Sequence, residues 1–289
     1  MKMRGMKHYR HIVSEDGEHD LFIDHGGLIV AEQIAENLLP YAVVNNPNYT
    51  FHDLDHSFRV CDNINEILDR FPPESFSALE IELLYQAALL HDIGMVFLPR
   101  DKEPRLGISH SELSAFILRQ IRSKGYMNDG FSNLGSQEHV NALATIVESH
   151  GMSIDRFDMI ADIVEVDWES VALKRLSAAL SLADGLELGS QRISVTAFDI
   201  LTDRELMASL ADEIGTQSIP FLGRVSREHW MREKDTRVNF VDNENIVISV
   251  GSAETGSELD ELVRYMRHYI SVLDLDLKID VVESDYEPV

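Results

Sequence analysis

Six ionisable side chains lie on the apolar stripes of five predicted helices, each near a helix end, where folding would bury them. His56 shares a face with Val60, Ile64, Ile67 and Phe71, at offsets of 4, 8, 11 and 15. His150 follows Leu143 by seven residues, Ile146 by four and Val147 by three. Asp184 follows Leu173, Leu176 and Leu180 by eleven, eight and four. His110 opens a helix whose expected apolar face holds Leu113, Phe116 and Ile117. The doublet His91-Asp92 closes a helix running through Leu83, Leu84, Ala87, Ala88, Leu89 and Leu90. A bare carboxylate in such surroundings is unfavourable by several kcal/mol unless a proton, an arginine or a metal ion pairs with it. One buried histidine is ordinary core material. Six such residues together are not, because buried carboxylates are rare unless paired, and imidazole with carboxylate is a common ligand set for first-row divalent metals.

The pattern along the chain predicts a mainly α protein, a helical bundle with a small C-terminal α/β subdomain. Residues 1–27 read as a polar, histidine-rich flexible leader. Residues 28–190 read as helical, in segments at 28–39, 54–71, 77–95, 109–125, 136–151 and 169–189. Pro40 is expected to end the first segment and Pro72-Pro73 the second, since proline removes a donor and clashes within a helix. The last three stop at or near glycine. Residues 191–289 change texture: strands are expected at 192–201, 236–243, 245–252 and 277–284, with an amphipathic helix at 258–274.

Charge narrows the partners. Fifty acidic residues against 25 basic ones give a formal charge of −25, which repels long nucleic acids. Small anions held at a metal are less affected, because the cation sets the local sign. The single cysteine, Cys61, excludes an intramolecular disulfide and suits a reducing, cytoplasmic setting. No stretch is apolar for long enough to span a bilayer, so no membrane association is expected. The basic N-terminus does not read as a signal peptide, having no apolar core behind it.

The order His56, His91-Asp92, His110, His150, Asp184 resembles the HD-domain metal-dependent phosphohydrolases. So do "DHSFRV" at 55–60, "ALLHDIG" at 88–94 and "SLADGLE" at 181–187. The likeness covers roughly residues 50–190. It implies an HD-type helical bundle with one or two divalent ions (Mn, Fe, Ni, Co, Zn or Mg) between the helices. His56, His91, Asp92 and Asp184 would form the first metal site. His110 and His150 match the extra histidines of two-metal members, in which the doublet aspartate bridges. Asp92 can offer two oxygens to two cations, whereas each imidazole nitrogen serves one. The "GYP" signature of the cyclic-dinucleotide-cleaving subgroup is missing from "ESHGMSIDRFD" at 148–158, so that activity is not expected. His150 has no adjacent histidine, and the second site is expected to be weaker than the first or absent.

The expected activity is hydrolysis of phosphate esters or anhydrides of nucleotide-like small molecules by a metal-activated hydroxide. Two rivals remain: a phosphodiesterase or nuclease acting on short oligonucleotides, and a non-catalytic, metal-stabilised regulatory or binding module. His52, four residues before His56, shares its helical face if that helix starts early enough, and would then protonate a leaving group or contact phosphate; otherwise it is a loop residue. Arg59, one turn from His56, either pairs with a carboxylate or reaches phosphate. Arg105, in the proline-rich loop after the doublet, and Arg192, just beyond Asp184, are further candidates for substrate contact. The C-terminal subdomain is the expected surface for a protein partner or a second copy of the chain.

Overall fold

The computed structural model describes residues 6–12, 26–45, 52–98, 108–124, 134–189, 192–193, 202–213 and 230–283. The protein is mainly α, with a small three-stranded sheet towards its C-terminus. Its described residues fall into two units. The first runs to Glu187 and also includes Arg264–Asp276; the second holds Leu188–Val263 and the residues from Leu277 onwards.

In the first unit, helices α1 (Gly26–Asn45), α2 (Leu54–Leu68), α3 (Ala78–Leu90), α4 (His110–Lys124), α5 (Gln137–Ser149), the short α6 (Ile154–Phe157) and α7 (Leu173–Gly185) surround one core. The centre of that core is α3, in which every residue from Leu83 to Leu90 is buried. A helix buried on all sides carries core-facing positions all round. The two residues that follow it, His91 and Asp92, are therefore both interior although they are sequence neighbours, at 0% and 2% exposure. A capping box at Ser77 and Glu80 starts α3. The Glu80 carboxylate also accepts the Ala172 amide at 2.8 Å, which ties the start of α7 to the same end of the bundle.

Several boundaries differ from the sequence expectation, each for a tertiary reason. Helix α1 continues through Pro40 to Asn45, with Leu39 and Ala42 buried on either side of the proline. Packing here outweighs the loss of one backbone bond. Part of the expected flexible leader is folded: Met6–His8 forms a 3-10 turn, Tyr9 is fully buried, and its hydroxyl donates to Glu32 at 2.9 Å. The region expected to be almost entirely helical contains a hairpin, β1 (Val164–Val166) and β2 (Glu169–Val171), whose second strand takes the place of the expected first turn, so α7 begins at Leu173 rather than 169. Helix α4 buries Ser111, Ser114, Ala115 and Leu118, while Phe116 is 57% exposed. Its packed face is thus a small-residue face, not the Leu113–Phe116–Ile117 stripe.

The second unit contains α8 (Arg204–Glu213) and strands β3 (Thr236–Phe240), β4 (Asn245–Val250) and β5 (Lys278–Glu283). β3 and β4 form an antiparallel hairpin, and β5 adds parallel to β4 after helix α9 (Ala253–Leu273). β-branched residues alternate inwards along β4, where Ile246, Ile248 and Val250 are buried. Most of the first expected strand, 194–200, lies outside the described residues. Among the described residues no helix is long and apolar enough to cross a membrane.

Candidate metal centre

Helix ends deliver the clustered side chains. His56 sits in the first turn of α2, where the Asp53 carboxylate caps the helix by accepting the His56 amide at 2.9 Å. His91 and His150 occupy the C-caps of α3 and α5. Asp92 follows His91, His110 is the first residue of α4, and Asp184 lies in the last turn of α7. Asn63 of α2 donates to the Ala183 carbonyl at 2.8 Å, fixing that turn of α7 against α2.

These residues converge on the Asp92 carboxylate. Its Oδ2 lies 3.1 Å from His91 Nε2 and 3.3 Å from His56 Nε2. Its Oδ1 lies 3.5 Å from His110 Nε2 and 3.7 Å from His150 Nε2. Asp184 Oδ1 joins the first group, 3.5 Å from His56 and 3.6 Å from His91. Two sets thus have the spacing to hold a cation, His56–His91–Asp92 and Asp92–His110–His150, with Asp92 common to both.

The donor set favours metal over simple packing. His91 Nδ1 is 2.8 Å from the Ala88 carbonyl, and His56 Nδ1 is 2.8 Å from Glu187 Oε2. Both partners can only accept, so both Nδ1 atoms carry a proton and both Nε2 atoms are left as bare lone pairs in the neutral rings. Those lone pairs face each other at 3.1 Å, with carboxylate oxygens of Asp92 and Asp184 beside them. These four acceptors form a stable cluster only around a cation, either a proton or a metal ion.

The protonation preferences have the same origin. Burial alone would raise the Asp92 carboxyl, but the rings of His91, His52 and His56 hold it well below the usual carboxylate range. Asp184 is likewise held low, against burial, by His56 and His91. Burial disfavours charge on His91, yet Asp92 and Asp184 keep that ring protonated well above its ordinary range. His150 is pushed down to about 4, first by burial and then by the neighbouring His110 and His91 rings. A metal-free centre therefore carries a proton on the His91 side, which a divalent cation would displace.

A model of the HD-CE family matches residues 47–278. The chain belongs to the HD-CE family. The HD-CE match starts before His52 and extends past Asp184 through β4 and α9. Comparison with curated proteins returns no match.

Within this HD-CE chain the other expected site residues fare differently. His52 precedes the α2 N-cap, so it does not share a helical face with His56. It still reaches the centre: its Nε2 is 3.9 Å from Asp92 Oδ2, and its ring packs edge-on against His56 with centroids 5.6 Å apart. Arg59 pairs with a carboxylate, its Nε donating to Glu187 Oε1 at 2.5 Å. Arg192 is buried and belongs to the second unit. Arg105 lies outside the described residues. Sequence reasoning passed over Glu187, fully buried and bonded to both His56 and Arg59. Its one local signal was its place three residues after Asp184, on the same turn.

Proposed function

We propose that this protein is a metal-dependent phosphohydrolase that acts on small, nucleotide-like phosphates. The observation that carries this reading is the division of the Asp92 carboxylate between two imidazole pairs, one at each oxygen. His56, His91, Asp92 and Asp184 would hold one ion, and Asp92, His110 and His150 a second. Divalent ions there supply Lewis-acid stabilisation of phosphoryl charge and a lowered pKa for an attacking water. The chain's own residues then have little covalent work to do in phosphoryl transfer. Asp92 and Asp184 balance the charge of the cations, and the buried imidazoles exclude bulk water. His52, 12% exposed and at the margin of the cluster, would give a proton to a leaving-group oxygen. The formal charge of −25 disfavours long polyanions and supports small substrates.

The test is a panel of nucleoside mono-, di- and triphosphates, a short oligonucleotide and a generic phosphodiester, each incubated with Mn2+-loaded protein and with the Asp92→Ala variant. Release of phosphate or nucleoside from a small nucleotide by the wild type alone supports the proposal. Cleavage confined to the oligonucleotide shifts the assignment to a nuclease. Bound metal with no turnover of any of them leaves a metal-stabilised binding module in its place.

A further inference from the structure

His56 has a problem that the other buried imidazoles of the centre do not. A ring can offer Nε2 to a cation only if its proton stays on Nδ1, and something must accept that proton's hydrogen bond. His91 and His150 solve this locally. Both are C-cap residues, and the last turn of a helix leaves carbonyls without intrahelical partners. His91 uses the Ala88 carbonyl at 2.8 Å and His150 the Val147 carbonyl at 2.5 Å, each three residues back. His56 stands in the first turn of α2, where the unpartnered groups are N–H donors. Its own helix offers no free carbonyl of that kind. The Nε2 side, by contrast, faces two carboxylates, Asp92 Oδ2 at 3.3 Å and Asp184 Oδ1 at 3.5 Å. Left to itself, the neutral ring would place its proton there and lose its lone pair.

We infer that Glu187 is the positioning residue of this centre: its buried carboxylate holds the proton of His56 on Nδ1 and so keeps Nε2 open as a ligand. Glu187 Oε2 is 2.8 Å from Nδ1, and the residue is 1% exposed. Arg59, one turn along α2 from His56, binds the other oxygen and orients Glu187. A buried carboxylate with one cation and one imidazole N–H as partners is satisfied; without them it would be costly. Asp184 and Glu187 thus approach opposite nitrogens of one ring from the same end of α7. Arg59 is on this assignment a member of the support chain Arg59–Glu187–His56. The inference rests on the metal reading above, but its first readout does not need metal.

That readout is the 15N spectrum of His56 in metal-free protein, assigned by comparison with His56→Gln. Wild type should show a protonated Nδ1 and a bare Nε2. Glu187→Met, of similar length but without an acceptor, should move His56 towards the Nε2–H form. Glu187→Gln retains an acceptor oxygen and should keep the wild-type tautomer. Calorimetric titration with Mn2+ alone should then rank affinity as wild type, Glu187→Gln, Glu187→Met, the last at least ~10-fold weaker, as expected for loss of an outer-shell partner. An unchanged tautomer in Glu187→Met overturns the inference. If that variant does not fold, an Nε2–H form of His56 in Glu187→Gln, which keeps the acceptor, overturns it instead. Failure of the wild type to take up Mn2+ would count against the metal reading, while the tautomer comparison would still decide the role of Glu187.

Discussion

His110 Nε2 stands 3.5 Å from Asp92 Oδ1, whereas His91 Nε2 lies 3.1 Å from the other oxygen, Oδ2. One side chain therefore links a pair of rings from α2 and α3 to a pair from α4 and α5. The two pairs are also in contact, since the His91 and His150 rings lie edge-to-face with centroids 5.0 Å apart. The chemistry of either half depends on the other through Asp92.

Asp92→Asn should weaken metal binding at both halves, because an amide offers one neutral oxygen where the carboxylate offers two charged ones. His56→Ala and His110→Ala should each remove one ion. Elemental analysis of purified protein checks this: about two ions per chain in the wild type, falling to about one in His110→Ala, is the expected series. A single ion unaffected by His110→Ala would remove α4 from the centre.

Gly94 sets the approach of α4. A Cβ there would collide with the His110 carbonyl oxygen and the Ser114 amide, both backbone atoms that cannot swing away. The Gly94 amide also donates to Ser114 Oγ at 2.8 Å, and that hydroxyl donates on to the His110 carbonyl at 3.0 Å. Gly94→Ala should destabilise the fold by about 2 kcal/mol. By pushing α4 outwards it should weaken metal binding on the His110 side more than on the His56 side. Thermal denaturation and a two-site Mn2+ titration measure the two effects.

Metal-free protein should be most stable near pH 6.5, the ordinary histidine value from which His91 is raised and His150 lowered. The folded state holds a proton on His91 at pH values where the unfolded chain has lost it, so stability declines as pH rises above 6.5 towards the raised His91 value. His150 titrates at about 4 when folded, so below 6.5 the unfolded chain binds a proton that the native state refuses, and stability declines as pH falls towards 4. Melting temperature against pH, measured in chelator, should show a maximum. His150→Asn should flatten its acid side and His91→Asn its alkaline side.

His139 provides a contrast and a control. Its Nε2 is 2.7 Å from Gln86 Oε1 in the core, and burial lowers its affinity for a proton. Gln86→Leu would leave that buried ring without its partner and should cost about 1–3 kcal/mol in urea denaturation. Metal content should be unchanged.

Periodicity is a local property, so the sequence by itself determined the helical class and the identity and order of the six residues that cluster at the helix ends. A stripe such as His56, Val60, Ile64 and Ile67 can be read without knowing what it packs against, and all four are buried. The three C-terminal strands were legible for the same reason, through alternation along β4. Only the tertiary structure decided which oxygen of Asp92 each imidazole approaches, because that depends on helix ends meeting in space. It also decided the face of α4, where close approach at Gly94 selects serine and alanine over the larger Leu113–Phe116–Ile117 stripe. Pairing between Val164–Val166 and Glu169–Val171 likewise replaced a helical turn. Glu187 is the clearest case. It stands 131 residues from His56 in the chain, and no local pattern distinguishes a surface glutamate after a helix from one whose carboxylate sets the tautomer of a buried ring.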